Sequence, residues 1–101
     1  MAGAATHPSK LTDQEITERL KGLPGWGIQD RKLHKNYAFR NFQEAFGFMA
    51  SAALAAEAMN HHPEWFNCYK KVVVDLTTHE AGGVTSLDFE LASKMESLAR
   101  I

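Results

Sequence analysis

The length and composition of the chain predict one small globular domain: it has 101 residues, of which 45% are hydrophobic and 23% are charged. Its formal net charge of −1 gives no electrostatic reason to expect a nucleic acid or an anionic membrane as a direct partner. A single cysteine, Cys68, excludes an intrachain disulfide and is compatible with a reducing compartment. No apolar run is long enough to cross a bilayer, and the first residues lack the pattern of a secretory signal, so we expect a cytoplasmic domain.

The chain is predicted to begin with a tail and a short helix. Residues 1–9 are small and polar, so we expect a disordered tail before a single domain over residues 10–101. Thr12 and Glu15 have the spacing of a capping box, in which each side chain satisfies the backbone amide of the other residue. This pattern predicts a short helix that starts directly after Thr12.

Two strands are predicted next, over residues 26–29 and 33–40, joined by a polar turn. In the second strand apolar residues alternate with polar ones, and Lys35 interrupts the apolar face. His34 falls on the polar face, where a solvated residue is a simpler interpretation than a ligand. We therefore place His34 outside the candidate site.

A long helix over residues 42–59, capped by Asn41, has apolar or small residues on two opposite sides. One side is the predicted core face and comprises Phe42, Ala45, Met49, Ala52, Ala53, Ala56 and Met59. The other side, here called the small-residue stripe, comprises Gly47, Ala50, Ser51, Leu54 and Ala58. Because the sheet of such a small domain covers only one side of a helix, the stripe predicts a helix-to-helix subunit interface. The alternative is an alanine-rich solvent face that reflects helix propensity alone.

The C-terminal half predicts two more strands, over residues 64–67 and 72–78, and a last helix capped by Thr85 or Ser86. The element order is then α-β-β-α-β-β-α, which is an α+β fold. Since no helix crosses over between the sequential strands of a pair, we expect a four-stranded antiparallel sheet with the helices packed on one face.

Three histidines lie at the ends of predicted elements: His61 and His62 follow the long helix, and His79 follows the last strand. An imidazole changes charge near neutral pH, so one ring can donate a proton to a leaving group while another accepts one. The cluster suits the loss of water from a small polar substrate, with Trp65 as an aromatic wall for a flat ring. A zinc site is one alternative, although the contiguous His61 and His62 make convergence on one ion awkward. Histidines that form only structural hydrogen bonds are the other alternative.

The segments around these histidines resemble those of a known family. Residues 57–67, 77–80 and 82–83, together with 45–49, closely resemble the pterin-4a-carbinolamine dehydratases, also known as dimerisation cofactors of a homeodomain transcription factor. The resemblance covers residues 11–98. It implies dehydration of 4a-hydroxytetrahydrobiopterin to quinonoid dihydrobiopterin without a metal or an organic cofactor. That reaction regenerates the pterin used by aromatic amino acid hydroxylases.

The resemblance also implies roles for individual residues. His61, His62 and His79 would be catalytic, with His61 and His79 handling protons and His62 helping to hold the pterin. The predicted substrate-binding residues are Asn60, His61, His62, Trp65, Thr77, Thr78, His79 and Glu80, and the supporting residues are Glu57 and Asp88. Two positions depart from the family pattern: Asn60 replaces an aspartate found in many members, and Ala81 replaces a cysteine seen in some. Both departures bear on the strength of binding rather than on the proton transfers.

Family members form tetramers through the long central helix, and the same face can bind the dimerisation helices of a homeodomain transcription factor. The resemblance thus implies a homodimer or homotetramer and, as an alternative function, a helix-binding transcriptional coactivator. One chain can have both functions, because the histidine site and the small-residue stripe use different residues. The expected location is the cytoplasm, and also the nucleus where such a partner exists.

Overall fold

The computed structural model describes residues 8–99. Within this part of the chain the elements are α1 (Asp13–Leu20), β1 (Gly27–Gln29), β2 (Lys32–Ala38), α2 (Phe42–Met59), β3 (Glu64–Cys68), β4 (Lys71–Leu76) and α3 (Ser86–Leu98). A short 3-10 turn, His79–Ala81, lies between β4 and α3. The predicted α-β-β-α-β-β-α order is confirmed. Most of the predicted tail, residues 1–7, lies outside the described residues.

The four strands form one antiparallel sheet in the order β1-β2-β4-β3. One face of the sheet is buried beneath the helices and carries Leu33, Tyr37, Val72, Val74 and Leu76. The opposite face is polar at one end, where the register brings Glu64, Asp75 and His34 side by side on three neighbouring strands. The predicted sheet with helices on one face is therefore confirmed.

The turn between β1 and β2 is shorter than predicted. Asp30 and Arg31 both have positive φ angles, 53° and 66°, as a two-residue type I′ hairpin requires. As a result β2 begins at Lys32, which the sequence pattern assigns to the turn. The side chain of Lys32 belongs to the same polar sheet face as His34, two residues further along β2.

The central helix α2 has the predicted bounds, and an asparagine marks each of its ends. The Asn41 side chain accepts a hydrogen bond from the Glu44 N–H at 2.9 Å, and Asn60, with φ of 53°, ends the helix in a left-handed conformation. Although α2 is 18 residues long, no helix of the described chain is long and apolar enough to cross a membrane.

The core face of α2 differs from the predicted one. Its buried residues are Ala45, Phe48, Ala52 and Ala56. Phe48, which the prediction omits, packs against the rings of Tyr37 and Phe39, with centroids 4.8 and 5.0 Å apart. The predicted core residues Phe42 and Ala53 are instead exposed, and the Phe42 ring lies beside that of Phe46 at 5.8 Å.

All five residues of the small-residue stripe are exposed in the single chain, and Leu54 is 75% exposed. Gly47 and Ser51 border a shallow groove of about 240 Å³ that also contacts Leu98 near the end of α3. The fold of one chain therefore leaves this side of α2 uncovered.

Lys35, which interrupts the apolar face of β2, is accommodated by Glu96 of α3. One oxygen of Glu96, Oε2, accepts hydrogen bonds from Lys35 Nζ at 2.7 Å, from Trp26 Nε1 at 3.0 Å and from the Tyr37 hydroxyl. Burial opposes ionisation of Glu96, but these hydrogen bonds outweigh it and hold the pKa of the carboxyl below its ordinary value of 4.5. The carboxylate thus ties α3 to β2 and to the segment before β1.

Candidate active site

A buried histidine–carboxylate pair joins the end of α2 to the start of α3. Nε2 of His61 lies 2.6 Å from Oδ1 of Asp88, and because an ionised carboxylate only accepts, the Nε2–H is the donor. His61 is 8% exposed and Asp88 is fully buried. The backbone N–H of His61 also donates to the Ala56 carbonyl at 3.0 Å. Hydrogen bonds of both the backbone and the side chain of His61 therefore hold its ring in place.

Asp88 has a second set of contacts at the N-terminus of α3. Its Oδ2 accepts hydrogen bonds from the Thr85 N–H and from the Thr78 hydroxyl, each at 2.9 Å. Because the Thr78 hydroxyl proton is used on Asp88, the Thr85 hydroxyl is the donor in its 2.7 Å contact with Thr78. Thr85, and not Ser86, is thus the cap of α3, and Asp88 completes its capping box.

His62 follows His61 in sequence but faces solvent. Its Nε2 lies 2.8 Å from Oε1 of Glu57 in the last turn of α2, and both side chains are exposed. The left-handed conformation of Asn60 turns the chain just before the two histidines. Asparagine adopts this conformation more readily than most residues. This turn lets two adjacent histidines make different contacts, one buried and one exposed.

His79 is paired with a carboxylate of the sheet, and that carboxylate also binds a lysine. Its Nε2 lies 3.2 Å from Oε2 of Glu64, whose Oε1 accepts a hydrogen bond from Lys32 Nζ at 2.5 Å. The hydrogen bond from Lys32 is the largest of the effects that hold the pKa of Glu64 below its ordinary value of 4.5. Glu64 and Lys32 are absent from the predicted site residues, because two residues 32 positions apart meet here only through the strand register.

The three candidate histidines use the same ring nitrogen for these bonds. In each of His61, His62 and His79, Nε2 faces a carboxylate, and Nδ1 has no hydrogen-bond partner among the described residues. No described side-chain nitrogen or oxygen is both buried and unpartnered. His34 uses the other nitrogen, with Nδ1 2.8 Å from Oδ1 of Asp75. It is less solvated than predicted, since only 15% of its side chain is exposed.

The remaining predicted binding residues lie at different depths around these pairs. Trp65 is half-buried and packs against the core, and Thr77 is also half-buried. Glu80 is exposed on the 3-10 turn beside His79. Thr78 is 2% exposed and its hydroxyl is bonded within the fold. Thr78 therefore stabilises the His61–Asp88 pair through its hydrogen bond to Asp88.

No three His, Cys, Asp or Glu side chains within residues 8–99 are grouped closely enough to share a metal ion. Each candidate histidine instead has a carboxylate of its own. A groove of about 520 Å³ lies between α1, the Arg31 turn and the loop at Gly82 and Gly83, and the candidate histidines do not line it.

Residues 9–98 match the family model of pterin 4 alpha carbinolamine dehydratase. A protein of Solibacter usitatus named "Putative pterin-4-alpha-carbinolamine dehydratase" is 54% identical over 91 residues, which cover 90% of this chain and 96% of the relative. A protein of the same name from Sinorhizobium fredii is 52% identical over 94 residues, which cover 91% and 90% of the two chains. The crystal structure of a transcriptional coactivator/pterin dehydratase from Brucella melitensis has a TM-score of 0.89 and 47% identity, and the match covers 91% of this chain and 100% of that one.

Proposed function

Because the chain belongs to the pterin-4a-carbinolamine dehydratase family, we propose that it converts 4a-hydroxytetrahydrobiopterin to quinonoid dihydrobiopterin and water. In a carbinolamine, one carbon atom carries both a hydroxyl group and an amine nitrogen. Loss of water breaks the carbon–oxygen bond, forms a carbon–nitrogen double bond and releases the proton of that nitrogen. The reaction therefore needs one group that gives a proton to the leaving hydroxyl and another that takes the nitrogen proton.

We assign the two proton transfers to His61 and His79 and the holding of the pterin to His62. The observation that carries this assignment is that each imidazole donates Nε2–H to a carboxylate, while its Nδ1 has no hydrogen-bond partner within residues 8–99. A carboxylate in this position keeps the neutral ring in one tautomer and stabilises the cation that forms when Nδ1 takes a proton. Asn60, Trp65, Thr77 and Glu80 are the proposed contacts to the pterin.

Replacement of His61 tests the proposal. We expect His61→Ala to lower the turnover of 4a-hydroxytetrahydrobiopterin by ~10²–10⁴-fold, as loss of a general acid or base does. His61→Gln retains a donor for Asp88 and separates the loss of proton transfer from the loss of a buried hydrogen bond. His34→Ala is the matched control, because it removes an imidazole–carboxylate pair outside the site. Since the dehydration also proceeds without enzyme, the uncatalysed rate is subtracted.

Wild-type turnover in both His61 variants, with wild-type circular dichroism, would contradict the assignment. Loss of turnover in His34→Ala as well would mean that activity responds to any change in this end of the sheet.

The second proposed function is the binding of a helix by the small-residue stripe. The stripe is exposed, its Leu54 is 75% exposed, and the groove beside Gly47 and Ser51 can accept a side chain from another helix. The exposed rings of Phe42 and Phe46 add to the apolar surface of the same helix. The proposed occupants are the stripe of a second copy, in a homodimer or homotetramer, and the dimerisation helix of a homeodomain transcription factor.

A pull-down with a peptide of such a dimerisation helix tests the coactivator function, with Leu54→Glu as the variant that should not bind. We expect binding by the wild type only. Equal capture by both proteins, or capture by neither, would contradict this function and leave the dehydratase proposal unaffected. We propose a cytoplasmic location for the enzyme and a nuclear one for the complex with the transcription factor.

A further inference from the structure

His79 differs from His61 in what holds its ring. His61 is almost fully buried, so packing restricts its rotation. His79 lies on a three-residue 3-10 turn, and 78% of its side chain is exposed. An exposed side chain rotates on a scale of picoseconds to nanoseconds unless something restrains it. If His79 is to exchange protons with a bound substrate, its hydrogen bond to Glu64 is the contact that can orient it.

Within the proposed dehydratase function, on which this inference rests, we infer that Glu64, anchored by Lys32, is a positioning residue that keeps Nε2 of His79 protonated and turns Nδ1 to the substrate. Glu64 does this with its two oxygens pointing to different partners. Oε1 accepts from Lys32 Nζ at 2.5 Å, and Oε2 accepts from His79 Nε2 at 3.2 Å.

The sheet holds Glu64 in place as the hydrogen-bond acceptor of an exposed histidine. Glu64 is the first residue of β3, where it pairs with Asp75 of β4. Lys32, on β2, reaches the same carboxylate across the polar face of the sheet. Its ammonium group is attracted by both Glu64 and Asp75, and its hydrogen bond holds the pKa of Glu64 below its ordinary value of 4.5. The Glu64 carboxylate is therefore held by β3, to which it belongs, and by Lys32 of β2, independently of its hydrogen bond to His79.

The hydrogen bond to Glu64 determines which ring nitrogen of His79 takes part in the reaction. With Nε2–H donated to Glu64, the lone pair of neutral His79 is on Nδ1, which can take a proton from the substrate. The cationic ring then has Nδ1–H and can return that proton. Without Glu64, rotation and tautomer exchange would place the lone pair correctly for only part of the time, so turnover would fall more than substrate binding.

A double-mutant cycle tests whether Glu64 acts through His79. We expect Glu64→Ala to lower kcat by about 10-fold to 100-fold, the scale of a misoriented catalytic group, with a smaller change in KM. In the His79→Ala background the same change should alter kcat by less than ~2-fold, because two residues that act as one unit are not additive. An equal loss in both backgrounds would overturn the inference, since Glu64 would then act on something other than His79.

Lys32 supplies a rescue test with a matched control. Lys32→Met should reproduce part of the Glu64→Ala loss, and Lys32→Arg, which keeps a cation for Glu64, should restore most of it. Lys21→Met removes the exposed pair with Glu18, 3.1 Å apart and outside the site, and should leave kcat unchanged. If Lys32→Met matches Lys21→Met, Lys32 is not the anchor and the inference is wrong in that part.

The ring nitrogens of His79 give a readout that does not depend on activity. Nitrogen NMR at about pH 8.5, where an ordinary histidine is neutral, distinguishes the two tautomers. We expect Nε2–H in the wild type and a larger share of Nδ1–H in Glu64→Ala. An unchanged share overturns the inference whatever the activity. A wild type without turnover would instead overturn the proposed function, and the NMR result would still decide whether Glu64 orients His79.

Discussion

Oδ1 of Asp88 accepts the hydrogen bond of His61 across 2.6 Å, while Oδ2 of the same carboxylate caps the first turn of α3. One buried side chain therefore joins a proposed proton-transfer residue to the end of a helix. Because Asp88 is fully buried, it cannot replace either partner with water. The orientation of His61 and the stability of the start of α3 should change together.

Replacement of Asp88 by asparagine tests this coupling. The side-chain amide of Asp88→Asn has one oxygen, which accepts, and one NH2 group, which donates. In either orientation the NH2 group faces another donor: the His61 ring on one side, or the Thr85 N–H and the Thr78 hydroxyl on the other. We expect the free energy of unfolding to fall by about 1–3 kcal/mol, because a buried hydrogen bond to a charged group is lost. Turnover should fall as well, since His61 loses the carboxylate that fixes its tautomer. Urea denaturation and dehydratase assays measure the two effects.

The capping box of α1 provides the control for Asp88→Asn. Glu15 is the residue of that box equivalent to Asp88, it is exposed, and its partner is Thr12 rather than a histidine. Glu15→Gln should leave the free energy of unfolding close to that of the wild type, because glutamine also serves in a capping box. A fall in stability with wild-type turnover in Asp88→Asn, or a fall in turnover with wild-type stability, would show that the two roles are not coupled.

The fold could be predicted best where a single side chain marks the end of an element. Asn41 marks the start of α2 and Thr12 the start of α1, and both are the observed caps. The first hairpin could not be located as well, because Asp30 and Arg31 adopt positive φ without the glycine that usually signals such a turn. The sequence pattern assigns Phe48 to neither face of α2, although its ring packs against that of Tyr37 on β2.

The candidate site could be predicted only in part, because several of its contacts join residues that are distant in sequence. The histidines stand in recognisable sequence motifs, and Glu57 is only five residues from His62. The family resemblance implies a supporting role for Asp88, but only the fold shows its contact with His61. Glu64 and Lys32 meet across the sheet, so their contact depends on register, which no local pattern in this sequence specifies.

A pH-dependent stability is expected from Glu96. Its pKa lies below the ordinary 4.5 in the folded chain, because the hydrogen bonds from Lys35, Tyr37 and Trp26 outweigh burial. A lowered carboxyl pKa adds stability that is complete above the ordinary pKa and is lost as the pH falls through the folded value. Glu96→Gln should therefore lower the free energy of unfolding by about 1–3 kcal/mol at neutral pH. The difference from wild type should shrink as the pH falls below the ordinary carboxyl pKa of 4.5.

Urea denaturation of both proteins across this pH range measures the difference. Glu90→Gln, on the same helix, is the control, because its exposed pair with Lys94 is long, at 3.8 Å, and such pairs contribute little. A gap between wild type and Glu96→Gln that stays constant down to the acidic end would contradict the role given to the Glu96 charge.

Turnover is expected to be independent of metal ions. Each candidate histidine already donates Nε2–H to its own carboxylate, and no three potential ligands within residues 8–99 are grouped to share an ion. Exhaustive chelation should leave the rate unchanged, and elemental analysis should find no stoichiometric zinc. Activity that disappears with the chelator and returns with zinc would favour the zinc interpretation of the histidines instead.

The small-residue stripe is expected to be an oligomer interface, and Leu54→Glu tests it. The stripe residues next to Leu54 are small, so two helix backbones can approach closely around this one large side chain, which is 75% exposed in the single chain. A glutamate there would place an unpaired carboxylate in the contact, at a cost of several kcal/mol. Dissociation of the subunits costs less than that, so the variant should sediment as a smaller species than the wild type.

Ile28→Glu is the matched control, because Ile28 is also a large apolar residue exposed on the single chain, at 44%, and lies on β1 rather than on α2. Sedimentation of the three proteins at equal concentration should separate Leu54→Glu from the other two. On a free surface either substitution would change stability by only roughly 0.5 kcal/mol and would leave the mass in solution unchanged. Some dehydratase activity should remain in Leu54→Glu, because the histidine pairs of one chain are formed without the stripe. If all three proteins sediment alike, the stripe reflects alanine helix propensity, and the proposed helix-binding function fails with it.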